Sequence, residues 1–213
     1  ALFSIDVIKV PVARPQDALL YVDDAHGIGV LGPEGRGSLA VAGLGAREVP
    51  LLLLPLGKAF GGQGAMLLGS EALVGHVAET ARPYLFSTAP APAMAAAMRA
   101  SLKLVRREAW RRAKLMSLVM RFRRGAAARG LPVQESFTPI QPVVLGDNAR
   151  ALAASKALEA AGYLVAAIRP PTVPEGQARL RITLSTDHAE ADVDGLLEAL
   201  ARAVNDTPQP LPA

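Results

Sequence analysis

Four residues carry the chemistry this sequence can offer: Lys58, Asp23, His26 and Arg181. Lys58 follows the apolar run Leu51-Leu-Leu-Leu-Pro-Leu-Gly and precedes Ala-Phe-Gly-Gly-Gln-Gly64. An apolar run bounded by turn residues reads as a buried strand, so this lysine stands where a strand gives way to a loop. Such an amine has two readings. Pointing into water it is an ordinary surface cation; among apolar neighbours it shifts toward the neutral form, which attacks carbonyls and makes Schiff bases. Asp23 and His26 end a second short run, Leu19-Leu-Tyr-Val22, and are followed by Gly27, Gly29, Gly32, Gly35 and Gly37, a loop whose backbone can approach a neighbour closely. Arg181 lies in the alternating segment Ala178–Leu184.

A metal site is set aside, because no second ligand cluster accompanies Asp23 and His26, while His76 and His188 stand in unrelated contexts. A phosphate-loop nucleotide site is set aside too: it needs a glycine five residues before the Gly-Lys pair and a hydroxyl after it, where Leu52 and Ala59 stand. Pyridoxal phosphate chemistry uses every member of the set. A lysine forms the Schiff base, a carboxylate keeps the pyridine nitrogen protonated, and an arginine grips a substrate carboxylate bidentately.

Strands alternating with helical stretches place the chain in the α/β class. Strands are expected at Leu19–Val22, Leu51–Leu56, Ala65–Gly69, Pro142–Leu145, Tyr163–Ile168 and Ala178–Leu184. Helices are expected from the Ser70 cap to about Thr80, as one long element from Ala91 to about Ala128 ended by Gly125 or Gly130, and from an Asp147 or Asn148 cap to Ala161. The last helix places Val193, Leu196, Leu197, Leu200 and Val204 on one face. Arg82–Thr88 is read as extended because of Pro83. The expected division is 1–95 as part of a large cofactor-binding domain, 96–205 as the long helix and a small C-terminal α+β domain, and 206–213 as a tail.

Composition narrows the class further. The 213 residues are 51% hydrophobic, enough for a real core, and contain no cysteine, which excludes disulfides and thiolate metal sites. No apolar segment is long enough to span a bilayer as a helix, so a cytoplasmic protein without membrane partners is expected, and nucleic acid is not expected as a partner because no series of aromatic residues interleaves the basic residues as stacking platforms. Charge is uneven: Arg99–Arg129 holds eleven Lys and Arg against one acid, Glu108, while the rest of the chain carries twelve against eighteen. This basic stretch reads as a solvated helix face, or as a surface for phosphates or an acidic protein.

The segments Val22–Gly37, Leu56–Gly64 and Arg82–Thr88, together with Gly146–Leu152 and Ile168–Arg181, resemble the α-oxoamine synthases, pyridoxal phosphate enzymes of the aspartate aminotransferase fold. The resemblance covers nearly the whole chain up to Val204 and corresponds to the C-terminal part of family members. It implies a large transferase domain with a mainly parallel sheet plus a small C-terminal domain. It further implies that Lys58 is the Schiff-base lysine and moves the substrate's α-proton, that Asp23 pairs with the pyridinium nitrogen, and that His26 and Ser4 lie at the ring hydroxyl oxygen. Arg181 would hold the amino-acid carboxylate, with Arg169 a second contact. Ser87 and Thr88 would reach the cofactor phosphate of a partner subunit, which makes the expected assembly a homodimer with active sites at the interface. The implied reaction is decarboxylative condensation of L-alanine with a pimeloyl thioester, carried by coenzyme A or a carrier protein. The alternatives are a relative that uses glycine or serine, or a truncated or degenerate member without activity. Two departures stand inside the match: the chain is shorter than the family pattern between Asp6 and Leu19, and Pro55 occupies the place where the family carries a phosphate-binding threonine.

Overall fold

The computed structural model describes residues 18–206, which divide into two compact units, 18–112 and 113–206. The first is built on a three-stranded sheet of order β1-β2-β3, with β1 at Tyr21–Asp23, β2 at Leu51–Pro55 and β3 at Ala65–Gly69. The leucine run makes β2 the central strand. It pairs in parallel with β1, Asp23 opposite Leu53, and antiparallel with β3, Pro55 opposite Ala65. Leu54 and Leu56 are buried. Helix α1 (Ser38–Val41) follows the glycine-rich loop, and α2 (Glu71–Thr80) begins where the Ser70 hydroxyl accepts the Leu73 N–H at 3.3 Å.

Two expectations for this unit are overturned. Arg82–Leu85 is a short helix, α3, rather than extended chain. Pro83 lies in its first turn, where a missing N–H costs nothing, and the extended backbone falls on Ala81 instead. The long helix is also two, α4 (Pro92–Arg107) and α5 (Ala109–Ala128), interrupted at Glu108 with φ −98° and ψ 60°. Arginines stabilise the break. The Arg112 guanidinium donates to the Val105 carbonyl at 2.5 Å, and Arg111 pairs with the Glu108 carboxylate at 2.5 Å while lying over the Trp110 ring.

The second unit holds most of α5 and an antiparallel sheet of order β4-β6-β5, formed by β4 (Ile140–Gly146), β5 (Ala166–Ile168) and β6 (Ala178–Thr183). Only the last three residues of the expected Tyr163–Ile168 strand pair. Tyr163 instead donates its N–H to the Leu158 carbonyl at 2.8 Å, completing the exit from α6 (Asn148–Ala160). Asp147 caps α6 by accepting the Arg150 N–H at 2.8 Å. Helix α6 packs on all three strands and on α7 (Glu190–Asn205). Phe122, Leu118, Leu158, Leu180, Ile182, Leu197 and Leu200 form the core. Gly125 lies inside α5 rather than at its end, because a Cβ there would overlap the Leu197 side chain. Gly130, at φ 63°, follows the helix.

Much of the basic stretch is spent inside the fold. Arg121 grips Asp194 of α7 bidentately at 2.8 and 2.6 Å and reaches Glu190 at 2.5 Å. Hydrogen bonding to Arg121 holds the Asp194 carboxyl below its ordinary value, with the charges of Arg121 and Arg129 adding to the effect. A carboxylate lowered by folding adds stability that is complete above its unfolded pKa, about 3.9 for Asp, and is lost as pH falls through the folded value. Arg121→Met should therefore lower the denaturation midpoint at neutral pH, and the difference from the parent chain should shrink below about pH 4. Denaturant titrations between neutral and acidic pH check this; a gap that persists in acid would assign the effect to lost packing.

Candidate active site

The parallel pairing of β1 and β2 directs both strands toward the same edge of the sheet. Asp23 is the last residue of β1, and Lys58 stands three residues beyond the end of β2. Carboxyl ends of adjacent parallel strands are where α/β sheets open a crevice for ligands. Here the two exit loops touch. Gly29, at φ 80°, approaches the lysine loop so closely that a Cβ on it would lie 2.9 Å from the Ala59 Cβ. Helix α4 backs both loops. The Ser101 hydroxyl donates to the Phe60 carbonyl at 2.9 Å, Met98 fills the space over Gly62, and Val105 lies against Gly29 and Gly35.

The lysine loop is closed by its own backbone. Leu56 N–H donates to the Gly64 carbonyl and Gly62 N–H to the Leu56 carbonyl, both at 2.9 Å, while Gly61 N–H reaches the Lys58 carbonyl at 2.9 Å. The Lys58 side chain is exposed and its ammonium has no partner among the described residues. Asp23 is exposed as well. Its Oδ1 accepts the Ala25 N–H at 3.0 Å, which leaves Oδ2 open among the described residues. Its charge is felt at Tyr21, two residues back on the same strand face, whose phenol is raised mainly by burial and further by Asp23. His26 is half-buried in the first turn after β1.

That turn begins because the β1–β2 ladder stops. Asp24 N–H donates to the Leu53 carbonyl at 2.9 Å, and the next bond of a parallel ladder would run from residue 55 to the Asp24 carbonyl. Pro55 has no N–H. The Asp24 carbonyl instead accepts Gly27 N–H and Ile28 N–H, both at 3.1 Å. Sequence reasoning gave no role to Asp24, one of the few buried charged residues at 4% exposure, and passed over the Met98, Ser101 and Val105 face of α4. The helical spacing of those three residues was the available signal for the second omission.

The remaining expected residues lie elsewhere. Ser4 falls outside the described residues. Ser87 and Thr88 are exposed just after α3, where the Ser87 hydroxyl donates to the Pro83 carbonyl. Arg181 and Arg169 belong to the second unit. Arg181 is exposed on β6, opposite Ala166 of β5 and Pro142 of β4, and Arg169 directly follows β5. Neither guanidinium has a partner among the described residues, whereas their neighbour Arg179 is buried and held by the Gln134 side chain at 2.8 Å and the Gln177 carbonyl at 2.9 Å.

Comparison with known proteins gives a consistent set of relatives. A family model described as aminotransferase class I and II matches residues 8–200. The chain is 56% identical over 209 residues to an 8-amino-7-oxononanoate synthase of Xanthomonas oryzae pv. oryzae and 58% identical over 208 residues to that of Xanthomonas axonopodis pv. citri. Each match covers 95% of this chain and 52% of the relative, so the chain spans about half the length of the curated relatives it matches. Among solved structures, a serine palmitoyltransferase of Sphingomonas wittichii superposes with a TM-score of 0.84 at 28% identity, covering 93% of this chain and 50% of that one. An 8-amino-7-oxononanoate synthase of Francisella tularensis superposes with a TM-score of 0.81 at 28% identity, covering 92% and 58%.

Proposed function

The chain belongs to the aminotransferase class I and II family, and on that premise we propose that it serves the 8-amino-7-oxononanoate synthase reaction of biotin biosynthesis. In that reaction L-alanine is condensed with a pimeloyl thioester and carbon dioxide is lost. The observation that carries the reading is the meeting of the two loops beyond the parallel strands, which brings an open carboxylate and an unpartnered lysine to one edge. Pyridoxal phosphate fits this donor set: Lys58 offers a free primary amine, Asp23 an unoccupied carboxylate oxygen, and His26 an imidazole in the turn between them. When bound, the cofactor supplies an electron sink for the α-carbon of an amino acid.

The chain's own residues supply the rest. The Lys58 amine attaches the cofactor and, once displaced by substrate, takes and returns the proton at the α-carbon. Asp23 keeps a proton on the ring nitrogen, and His26, with Ser4, holds the ring hydroxyl oxygen. The free guanidinium of Arg181 in the second unit binds the substrate carboxylate, with Arg169, just past the end of β5, as a second contact. In this reading residues 1–95 belong to the cofactor-binding portion and 96–205 to the long helical stretch and the small domain; the first compact unit runs on to residue 112 and so takes in α4 as well.

Two further features extend the proposal to the assembly. Tyr84, Leu85 and Phe86 are exposed at 70%, 50% and 79%, an apolar group directly beside Ser87 and Thr88. Apolar surface of this kind favours contact with a second copy, across which Ser87 and Thr88 would reach the partner's cofactor phosphate. A homodimer in the cytoplasm is proposed accordingly. Arg106 and Arg107 retain no partner among the described residues, so unlike Arg111 and Arg112 they are among the cations of that stretch available to coenzyme A phosphates or an acidic carrier.

Amino-acid titration of the visible cofactor band tests the substrate. L-alanine should half-saturate the change at a concentration about tenfold below glycine, the discrimination one methyl group supports in a pocket. Equal responses to alanine, glycine and serine would transfer the chain to a relative with another amino-acid substrate.

A further inference from the structure

We infer that Asp24 is a positioning residue: its buried carboxylate latches the far end of the glycine-rich loop and so fixes its neighbours Asp23 and His26 at the strand edge. The inference rests on the site proposed above but on separate observations. Asp24 is 4% exposed, and its Oδ2 accepts the Ser38 N–H at 2.9 Å, closing a segment of fourteen residues onto the end of β1. The Ser38 hydroxyl and the Gly27 backbone also lie against the carboxylate and favour its charged form. No ion pair accompanies the carboxylate among the described residues.

The fit leaves little freedom. A Cβ on Gly27 would overlap Oδ1 and the Ser38 hydroxyl, and a Cβ on Gly37 would overlap Oδ2. Two glycines are therefore required by the carboxylate itself, one on either side of it, and Gly37 also occupies φ 88°, which favours glycine independently. The main chain of the same residue is fixed as well, through the Leu53 carbonyl on one side and the Gly27 and Ile28 N–H groups on the other. Asp24 is thus bonded to β2, to the turn bearing His26 and to the start of α1. Burial raises its carboxyl above its ordinary value despite these neighbours.

Hydrogen exchange on the full chain tests this without cofactor, comparing the parent with Asp24→Ala and Asp24→Asn. Asp24→Ala should raise amide exchange across residues 27–38 about tenfold while leaving α2 unchanged. Asp24→Asn should recover most of that protection, because the amide oxygen still accepts the Ser38 N–H. The pyridoxal phosphate concentration giving half-maximal borohydride-fixed product at Lys58 should rise about tenfold in Asp24→Ala and less in Asp24→Asn. Unchanged exchange in 27–38, or unchanged half-saturation despite faster exchange, overturns the inference. Should Asp24→Ala fail to fold, Asp24→Asn decides: protection near the parent's supports the latch, and protection lost equally in 27–38 and α2 refutes it. A parent chain that takes up no cofactor would sink the proposed function, and the exchange arm would still decide whether Asp24 holds the loop.

Discussion

Lys58→Ala should abolish the borohydride-stable pyridoxyl adduct that the parent chain forms, lowering the yield of modified protein by about 100-fold or more. The size of the effect follows from chemistry, since only a primary amine can be fixed to the cofactor aldehyde by reduction. Its specificity follows from the structure. The main chain at residue 58 is held by the Leu56–Gly64, Gly62–Leu56 and Gly61–Lys58 hydrogen bonds, none of which uses the side chain. An exposed side chain without partners can be removed at little cost to folding, so circular dichroism and the denaturation midpoint should stay within error of the parent. Mass mapping of the reduced product locates the adduct. Abundant label on Lys103 or Lys156 in the parent, or an undiminished yield in Lys58→Ala, would refute the assignment.

Phe122→Ala should carry the largest cost to stability, about 3–5 kcal/mol in the second unit. Phe122 is 0% exposed and stands among Leu118, Val119 and Ala126 on the buried face of α5. Truncation removes the ring's transfer energy and opens a cavity that surrounding helices and strands cannot fully close. The neighbouring Gly125–Leu197 contact already sets α5 and α7 at close range, which limits how far they can relax. Denaturant unfolding followed by hydrogen exchange in α6 and α7 would register the loss. A cost below about 1 kcal/mol would mean that the site collapses freely.

The parts of the fold legible in the sequence were those written in local chemistry. The Ser70 and Asp147 caps, the leucine run of β2 and the apolar face of α7 each declare themselves within a few residues, and the structure has them where their sequence places them. The break at Glu108 was not legible, because Ala, Arg and Leu propensities on both sides favour helix and the interruption depends on how Arg111 and Arg112 meet groups three and seven residues back. Arg82–Leu85 misled because Pro83 was expected to hold Arg82 extended, whereas Arg82 opens the helix and a proline in the first turn is tolerated. At the candidate site, residue types pointed to Asp23, His26 and Lys58, but the contact between their loops depends on the absence of a single methyl group at Gly29. The role of Asp24 was not legible because its partner is a backbone N–H fourteen residues away, which leaves no side-chain signature.

Pro55 can be weighed again as a stop signal. A residue with an N–H there would let the two parallel strands zip one step further, drawing the Asp24 carbonyl into the sheet. The imino acid denies that step, and the released carbonyl becomes the nucleus of the tight turn that swings His26 around. Whatever a hydroxyl at this place would contribute to a phosphate, the proline acts as a terminator of one seam: it ends the β1–β2 pairing at a fixed row while the β2–β3 pairing runs on to Leu56 and Gly64. Restoring threonine at position 55 would thus change two things together, a potential ligand contact and the length of the seam.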